Sequence, residues 1–336
     1  MAKAKSRQVQ RAEQRSRVPR HTAADSERTN RMLIVGGIVA VIVIAIILIG
    51  FGWYQTQIRP LAKTVLEVGD YKFNLAHLER RMELELVDNP FYQGQAILAL
   101  PEAMMQRLEE EAKILQAGPA ELQLTITEED LATEVRQRGN LADDVEPTVF
   151  ANEFRRQVED SGLKENEYRL MLQAEIMRDK VRGWFIYLAP PAEAQVLARW
   201  IVVDSQEDAD AALQRLVAGE DFVEVGRDLS LDVPRVEQGD SEEDWAVRGY
   251  FPSQELEDFL FEDADAGQRS GIVIVGDFFY IAELLDRDDA RPLSDTLRSQ
   301  VGAREMQTWL DELEEPAAVR HFSREDSNRA LEDVLE

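Results

Sequence analysis

The chain has 336 residues, with 65 Asp and Glu against 38 Lys and Arg, a formal net charge of −27, and no cysteine. The missing cysteines exclude a disulfide framework, a thiolate nucleophile and a cysteine metal site, and the acidic balance argues against nucleic acid as a partner. Three scattered histidines, His21, His77 and His321, with neither a Gly-rich phosphate loop nor a His-Glu-x-x-His pair, leave little basis for nucleophilic, zinc or nucleotide chemistry. No metal or cofactor is expected.

Residues 1–31 form a basic tail, nine Lys or Arg against three acids. An unbroken apolar run from Met32 to Gly52 follows, 21 residues without a charge. At ~1.5 Å per residue it reaches about 31 Å, the thickness of a bilayer's hydrocarbon core. The positive tail holds the N-terminus in the cytoplasm. A cleaved signal peptide is the alternative, but its apolar stretch is shorter, about 7–15 residues, and ends at small residues. Trp53 and Tyr54 come next instead, as at a membrane interface. Residues 32–54 are therefore expected to be a single-pass anchor in the cell membrane, in contact with the lipid bilayer, with the C-terminal domains extracytoplasmic. Residues 32–336 hold 62 acids and 29 basic residues, which favours solubility.

Thr64–Val68 and Tyr71–Phe73 are short apolar-rich runs joined by Gly69-Asp70, a hairpin signal. Helices are expected at about Leu75–Val87, Pro101–Gln116, Thr127–Gly139, Val149–Ser161 and Lys164–Leu188, making a helical domain over 60–190. Thr127-x-x-Asp130 resembles a capping box. The last of these helices carries Leu170, Ala174, Met177, Val181, Trp184, Phe185 and Leu188 on one face, read as core, with an exposed part as a holding surface for unfolded chains the alternative.

Pro190-Pro191 ends the helical grammar. Ala198–Val203 reads as a buried strand, followed by a helix capped by Asp204 or Ser205 and ending at Gly219, then short helices at Asp221–Leu229 and Ser253–Phe261. Ile272–Val275 and Phe278–Leu284 flank Gly276-Asp277, a second Gly-Asp hairpin. An α/β domain over 193–288 follows from this order. Beyond Arg291-Pro292 a helical stripe of Leu293, Leu297, Val301, Met306, Trp309, Leu310 and Leu313 cannot bury itself. Residues 291–322 are expected to return to the helical domain, leaving the α/β domain as an insertion. The polar stretch 323–336 reads as a frayed helical tail. Acidic clusters at Asp240–Asp244, Glu262–Asp265 and Asp286–Asp289 lack Ca²⁺-loop spacing and read as a solvated face.

Residues 196–287 resemble the parvulin-type peptidyl-prolyl isomerases. VLARWIVV (196–203) is similar to that family's first strand, and 207–232 to its helix, Gly-x-Asp-Phe turn and Ser-x-Asp. RGYFPSQELEDFLF (248–261) is similar to its Arg-Gly-x-Met and Pro-Glu-Phe-Glu segments, and FFYIAELLDR (278–287) to its last strand. VLEVGDYKFNLAHLERRM (65–82) and the helices up to Leu188 are similar to the chaperone region of SurA-like and PrsA-like foldases. With the apolar run as a single N-terminal transmembrane helix, the resemblance implies an α+β fold: a helical SurA-type domain and an inserted four-stranded antiparallel sheet with helices.

The resemblance also assigns site positions. Asp232 stands at the family's acidic position, Trp200 and Tyr280 replace its two histidines, and Phe251 and Leu256 occupy its proline pocket. Proline isomerisation breaks no bond and needs only a pocket that favours the twisted amide across a barrier of ~18–20 kcal/mol. An extracytoplasmic foldase or chaperone is implied, binding unfolded or proline-containing segments of exported polypeptides, with isomerase activity weak or lost. The alternative is a non-catalytic scaffold docking one dedicated membrane or envelope partner.

Overall fold

The computed structural model describes residues 42–52, 59–92, 94–238, 244–313 and 316–335. The chain divides into two compact units, Met1–Lys63 with Asn74–Ala76, and the remainder. In the first, residues 42–52 are helical and their apolar side chains, Ile44, Ile46 and Ile49 among them, are exposed. Residues 32–41, Trp53 and Tyr54 lie outside the described residues, as does the basic tail. Among the described residues no helix is long and apolar enough to cross a membrane.

The second unit carries two antiparallel sheets and the helices. Strands β1 (Thr64–Val68) and β2 (Tyr71–Asn74) form the first hairpin, followed by α1 (Leu75–Asp88). Helices α2 (Leu100–Leu122), α3 (Glu128–Arg138), α4 (Pro147–Ser161) and α5 (Glu165–Leu188) complete the helical region. At α3 the capping box is made in full: Asp130 N donates to the Thr127 hydroxyl and Thr127 N to the Asp130 carboxylate. Helix α2 runs six residues past its expected end at Gln116, through Gly118 and Pro119. Gly118 abuts Met177 of α5, where a Cβ would stand 2.8 Å from the sulfur, so the glycine serves close helix approach rather than termination.

The α/β region begins at β3 (Ala192–Val203), then α6 (Gln206–Val217), α7 (Phe222–Leu229) and the single turn α8 (Val233–Val236). Strand β4 (Trp245–Val247) and α9 (Gln254–Asp258) follow, the latter running into a π-helical turn, Phe259–Asp263. Strands β5 (Val273–Val275) and β6 (Phe278–Pro292) close the second sheet, in the order β4-β3-β6-β5, all antiparallel. Both β3 and β6 outrun their expected cores at 198–203 and 278–284. Beyond a register shift at Leu284 the polar run Asp286–Pro292 continues to pair with Ala192–Leu197, held by backbone bonds that hydrophobic alternation does not report.

Helix α10 (Asp295–Glu312) lies along α5, where Gly302 faces the Ile186 backbone so closely that a Cβ would meet its nitrogen at 2.7 Å. Met306 and Leu310 join Ile114, Ala174, Met177 and Val181 in one core. The α5 stripe thus divides: its middle is buried, while Trp184 and Leu188 remain exposed.

The C-terminal stretch departs from expectation. Helix α10 stops at Glu312, and Ala318–Arg320 forms β7, which pairs with β1 to complete the first sheet in the order β2-β1-β7. Residues 323–336, expected to be a frayed tail, hold α11 (Arg324–Leu335), whose N-terminus is closed by reciprocal bonds between Ser323 and Asp326 and whose Ala330 and Leu331 are buried. A strand of only three residues, Ala318–Arg320, defined by a distant partner leaves no periodic signal, and two buried apolar residues in an acidic helix leave a weak one.

Candidate functional site

Strand pairing decides what the sheet presents. Residues alternate between faces, so Val196, Ala198 and Trp200 of β3 share one face, and the β3–β6 register, Trp200 opposite Ala282 and Val202 opposite Tyr280, brings Tyr280, Ala282 and Leu284 to the same side. Onto this face fold Ala246 of β4, the turn Arg248–Phe251, Leu256 of α9, and Leu260 and Phe261 of the π turn.

The result is an aromatic floor. Trp200 meets Tyr250 at 6.2 Å and Phe251 at 5.6 Å between centroids, both edge to face. Tyr250 and Phe251 are perpendicular at 5.3 Å, and Phe251 reaches Phe261 at 6.3 Å. Each such pair adds about 0.5–1.5 kcal/mol beyond area burial. Phe251 is 8% exposed and Leu256 2%. The two residues assigned to the proline pocket are therefore members of the core, packed by the side chains beside them, while Trp200 and Tyr280 are half-buried at its edge.

Asp232 caps α8, accepting from Arg235 N at 3.3 Å, and its own N–H donates to the Ser230 hydroxyl. No hydrogen bond joins the Tyr280 hydroxyl to Asp232. What links Asp232 to the aromatic floor is Arg235, whose guanidinium lies 4.0 Å from the Asp232 carboxylate and stacks over Trp200 at 5.2 Å and Tyr250 at 5.5 Å. The structure thus brings Trp200, Tyr280, Phe251 and Leu256 to one cluster and leaves Asp232 outside it, connected through a cation.

Two positioning residues have no motif to announce them. One oxygen of Glu257, buried in α9, accepts Gly249 N and Phe251 N at 3.0 Å each, fixing the turn that presents Tyr250 and Phe251. Burial raises this carboxyl above the usual range, and the two N–H donors oppose that rise. Arg304 of α10 donates to Arg248 O at 3.0 Å and to Glu193 at 2.9 Å, clamping the same turn from the other side. Arg235, three residues after Asp232, could have been found by helical-turn spacing; Glu257 and Arg304 act through backbone atoms and leave no side-chain pattern.

The helical region holds a different kind of surface. A cleft of about 360 Å³ is lined by Arg81, Arg107, Arg138, Tyr168, Met171 and Glu175. Beneath it Arg81 and Glu111 form a buried two-bond pair at 2.7 and 3.0 Å. Nearby Glu167 is buried, which by itself would raise its carboxyl, but bonds from His77, Arg80 and the Lys164 backbone hold it well below the ordinary value. Val87, Phe91 and Leu98, on or after α1, are 82%, 70% and 69% exposed.

The SurA-like N-terminal domain family matches residues 25–182. No curated protein matches the sequence. The chain is similar to the solved peptidyl-prolyl isomerase PrsA from Bacillus anthracis, at 14% identity and TM-score 0.41, covering 69% of this chain and 95% of that one. It is similar to the foldase protein PrsA from Streptococcus pneumoniae at 10% identity and TM-score 0.34, covering 81% and 92%. A SurA-like chaperone from Campylobacter jejuni, in a study of PEB4 and Cj1289, matches at 12% identity and TM-score 0.26, over 75% and 93%. Residues 25–182 are thus similar to the SurA-like N-terminal domain family.

Proposed function

We propose that this protein is a membrane-anchored, extracytoplasmic chaperone that holds unfolded, apolar or proline-containing segments of exported polypeptides, with little or no isomerase turnover. The observation that carries the reading is the burial of the two residues assigned to the proline pocket: Phe251 and Leu256 are packed into the core against which Trp200 lies. An isomerase must fit the twisted amide better than either planar form, and a pocket occupied by its own side chains offers no such fit. Binding survives that loss, because the exposed Val87, Phe91 and Leu98 and the uncovered end of α5 offer apolar surface to an unfolded chain. The apolar run from Met32, its described part helical and uncovered, supports lipid as its surroundings, and the basic tail supports a cytoplasmic N-terminus.

The test is aggregation of a chemically denatured client diluted into buffer with and without the full-length protein in neutral detergent. Light scattering suppressed at equimolar protein supports the reading; unchanged scattering at tenfold excess removes it.

A further inference from the structure

Residues 318–335 return to the start of the helical region and are tied to it by few contacts. Strand β7 lays three residues along β1, with Arg320 opposite Leu66 and Ala318 opposite Val68, and His321 N donates to Val65 O at 2.9 Å. Arg320 then reaches Glu102 at 2.6 Å and Glu109 at 2.9 Å on α2, and α11 packs against α2 with Asp326, Ala330 and Leu331 buried. Val319 is exposed, and the Arg320 pairs lie at the surface, where such pairs contribute little. The Ser323–Asp326 cap is made within the segment and adds nothing to its docking. Segments of this kind open at the low end of a protein's stability scale.

Where α11 meets α1 the contact is acid against acid. Glu79 of α1 is 8% exposed and its Oε1 is buried without a hydrogen-bond partner, an arrangement that suits a neutral carboxyl and penalises a carboxylate. Helix α11 presents Asp333 and Arg329 to it, Asp333 through a side-chain hydrogen bond that needs a proton between the two carboxyls, and α1 itself adds Glu83. Arg329 also lies 3.6 Å from Asp333, so one guanidinium serves three carboxyls. Two carboxylates at one contact repel each other unless they share a proton. Burial first, and Asp333 next, raise the Glu79 carboxyl to about 7.

We propose that residues 318–335 form a strap that pH opens: it stays docked on β1 and α2 while Glu79 and Asp333 share a proton, and it detaches when both are ionised. The docked state favours the protonated carboxyl, so docking is strongest in acid and weakens as pH rises through about 7. Release lets both carboxylates hydrate and returns Glu79 toward its ordinary 4.5, which shifts the opening equilibrium about tenfold between pH 6 and pH 8. Opening also leaves β1 as an edge whose backbone groups an extended chain can pair with. The strap stands independently of the chaperone reading.

The test is hydrogen–deuterium exchange of the full-length protein in neutral detergent at pH 6 and pH 8, each rate divided by the intrinsic amide rate at that pH. Protection of residues 328–335 should be about tenfold lower at pH 8, while residues 171–181, in the middle of α5, keep the same protection at both. Glu79→Gln, which cannot ionise, should hold the protection of 328–335 level across the two pH values. Asp333→Asn, at an exposed position, removes the facing charge without disturbing the core and should lessen the fall, so the proposal stays testable if Glu79→Gln folds poorly. Equal protection of the wild-type strap at both pH values, or no protection of it at pH 6, would overturn the proposal. So would a parallel loss across 171–181, which would mark global unfolding, or a fall in either variant as steep as in the wild type.

Discussion

On one face of the four-stranded sheet, α6 and α7 press Ala209, Ala212, Phe222 and Val225 onto Ile201, Val203 and Ile281. On the other, α9 and the π-helical turn bring Leu256, Leu260 and Phe261 against Trp200, Tyr250 and Phe251, whose rings meet edge to face, and Arg235 lies over Trp200 and Tyr250. The first face is an aliphatic core around a fully buried Phe222; the second is a core cluster edged by the half-buried aromatic rings of Trp200, Tyr250 and Tyr280. The same two strands supply both, so the difference comes from what the connecting segments bring. The larger stability loss is expected on the aliphatic face.

Phe222→Ala should cost about 3–5 kcal/mol, the usual range for emptying a fully buried aromatic site. Phe251→Ala should cost about 2 kcal/mol, because neighbouring rings can close over the gap at the edge of the sheet. Urea denaturation midpoints of the two variants check this; equal losses would erase the distinction between the faces. The helical region supplies a third reference. Glu79 on α1 is buried, its carboxyl raised to about 7 first by burial and then by Asp333 of α11, with Glu83 adding and Arg329 opposing. The fold favours its protonated form, so its contribution is complete below pH 4.5 and is lost as pH rises through about 7. Unfolding midpoints between pH 4.5 and 8 should therefore fall for the wild type and fall less steeply for Glu79→Gln; parallel slopes would contradict this. The smallest effect is expected at Glu257→Gln. The amide oxygen can still accept from Gly249 and Phe251, and no buried charge remains above the carboxylate range, so stability at pH 7 should rise by up to about 1 kcal/mol. A loss of several kcal/mol would show that the ionised carboxylate itself holds the aromatic turn.

Much of this architecture was legible because it is local. The Gly-Asp hairpins, the Thr127 cap and the apolar helix faces each declare themselves within a few residues. Strand β7 did not, since its three residues are defined only by β1 across the chain. The aromatic floor was half legible: the resemblance singled out Trp200, Tyr280, Phe251 and Leu256, yet the packing around Phe251 depends on Tyr250 and Phe261 and on a turn held by Glu257 through backbone N–H groups. Nor does spacing show that Asp232 spends its carboxylate on its own helix cap.

The proposed loss of isomerase turnover is tested most directly by refolding a substrate whose slow phase is X-Pro isomerisation, which takes tens of seconds or more uncatalysed. Full-length wild type at concentrations that suppress aggregation should leave that rate constant unchanged, and so should Trp200→His with Tyr280→His, which leaves Phe251 and Leu256 in the core. Strong acceleration by the wild type would contradict the proposal.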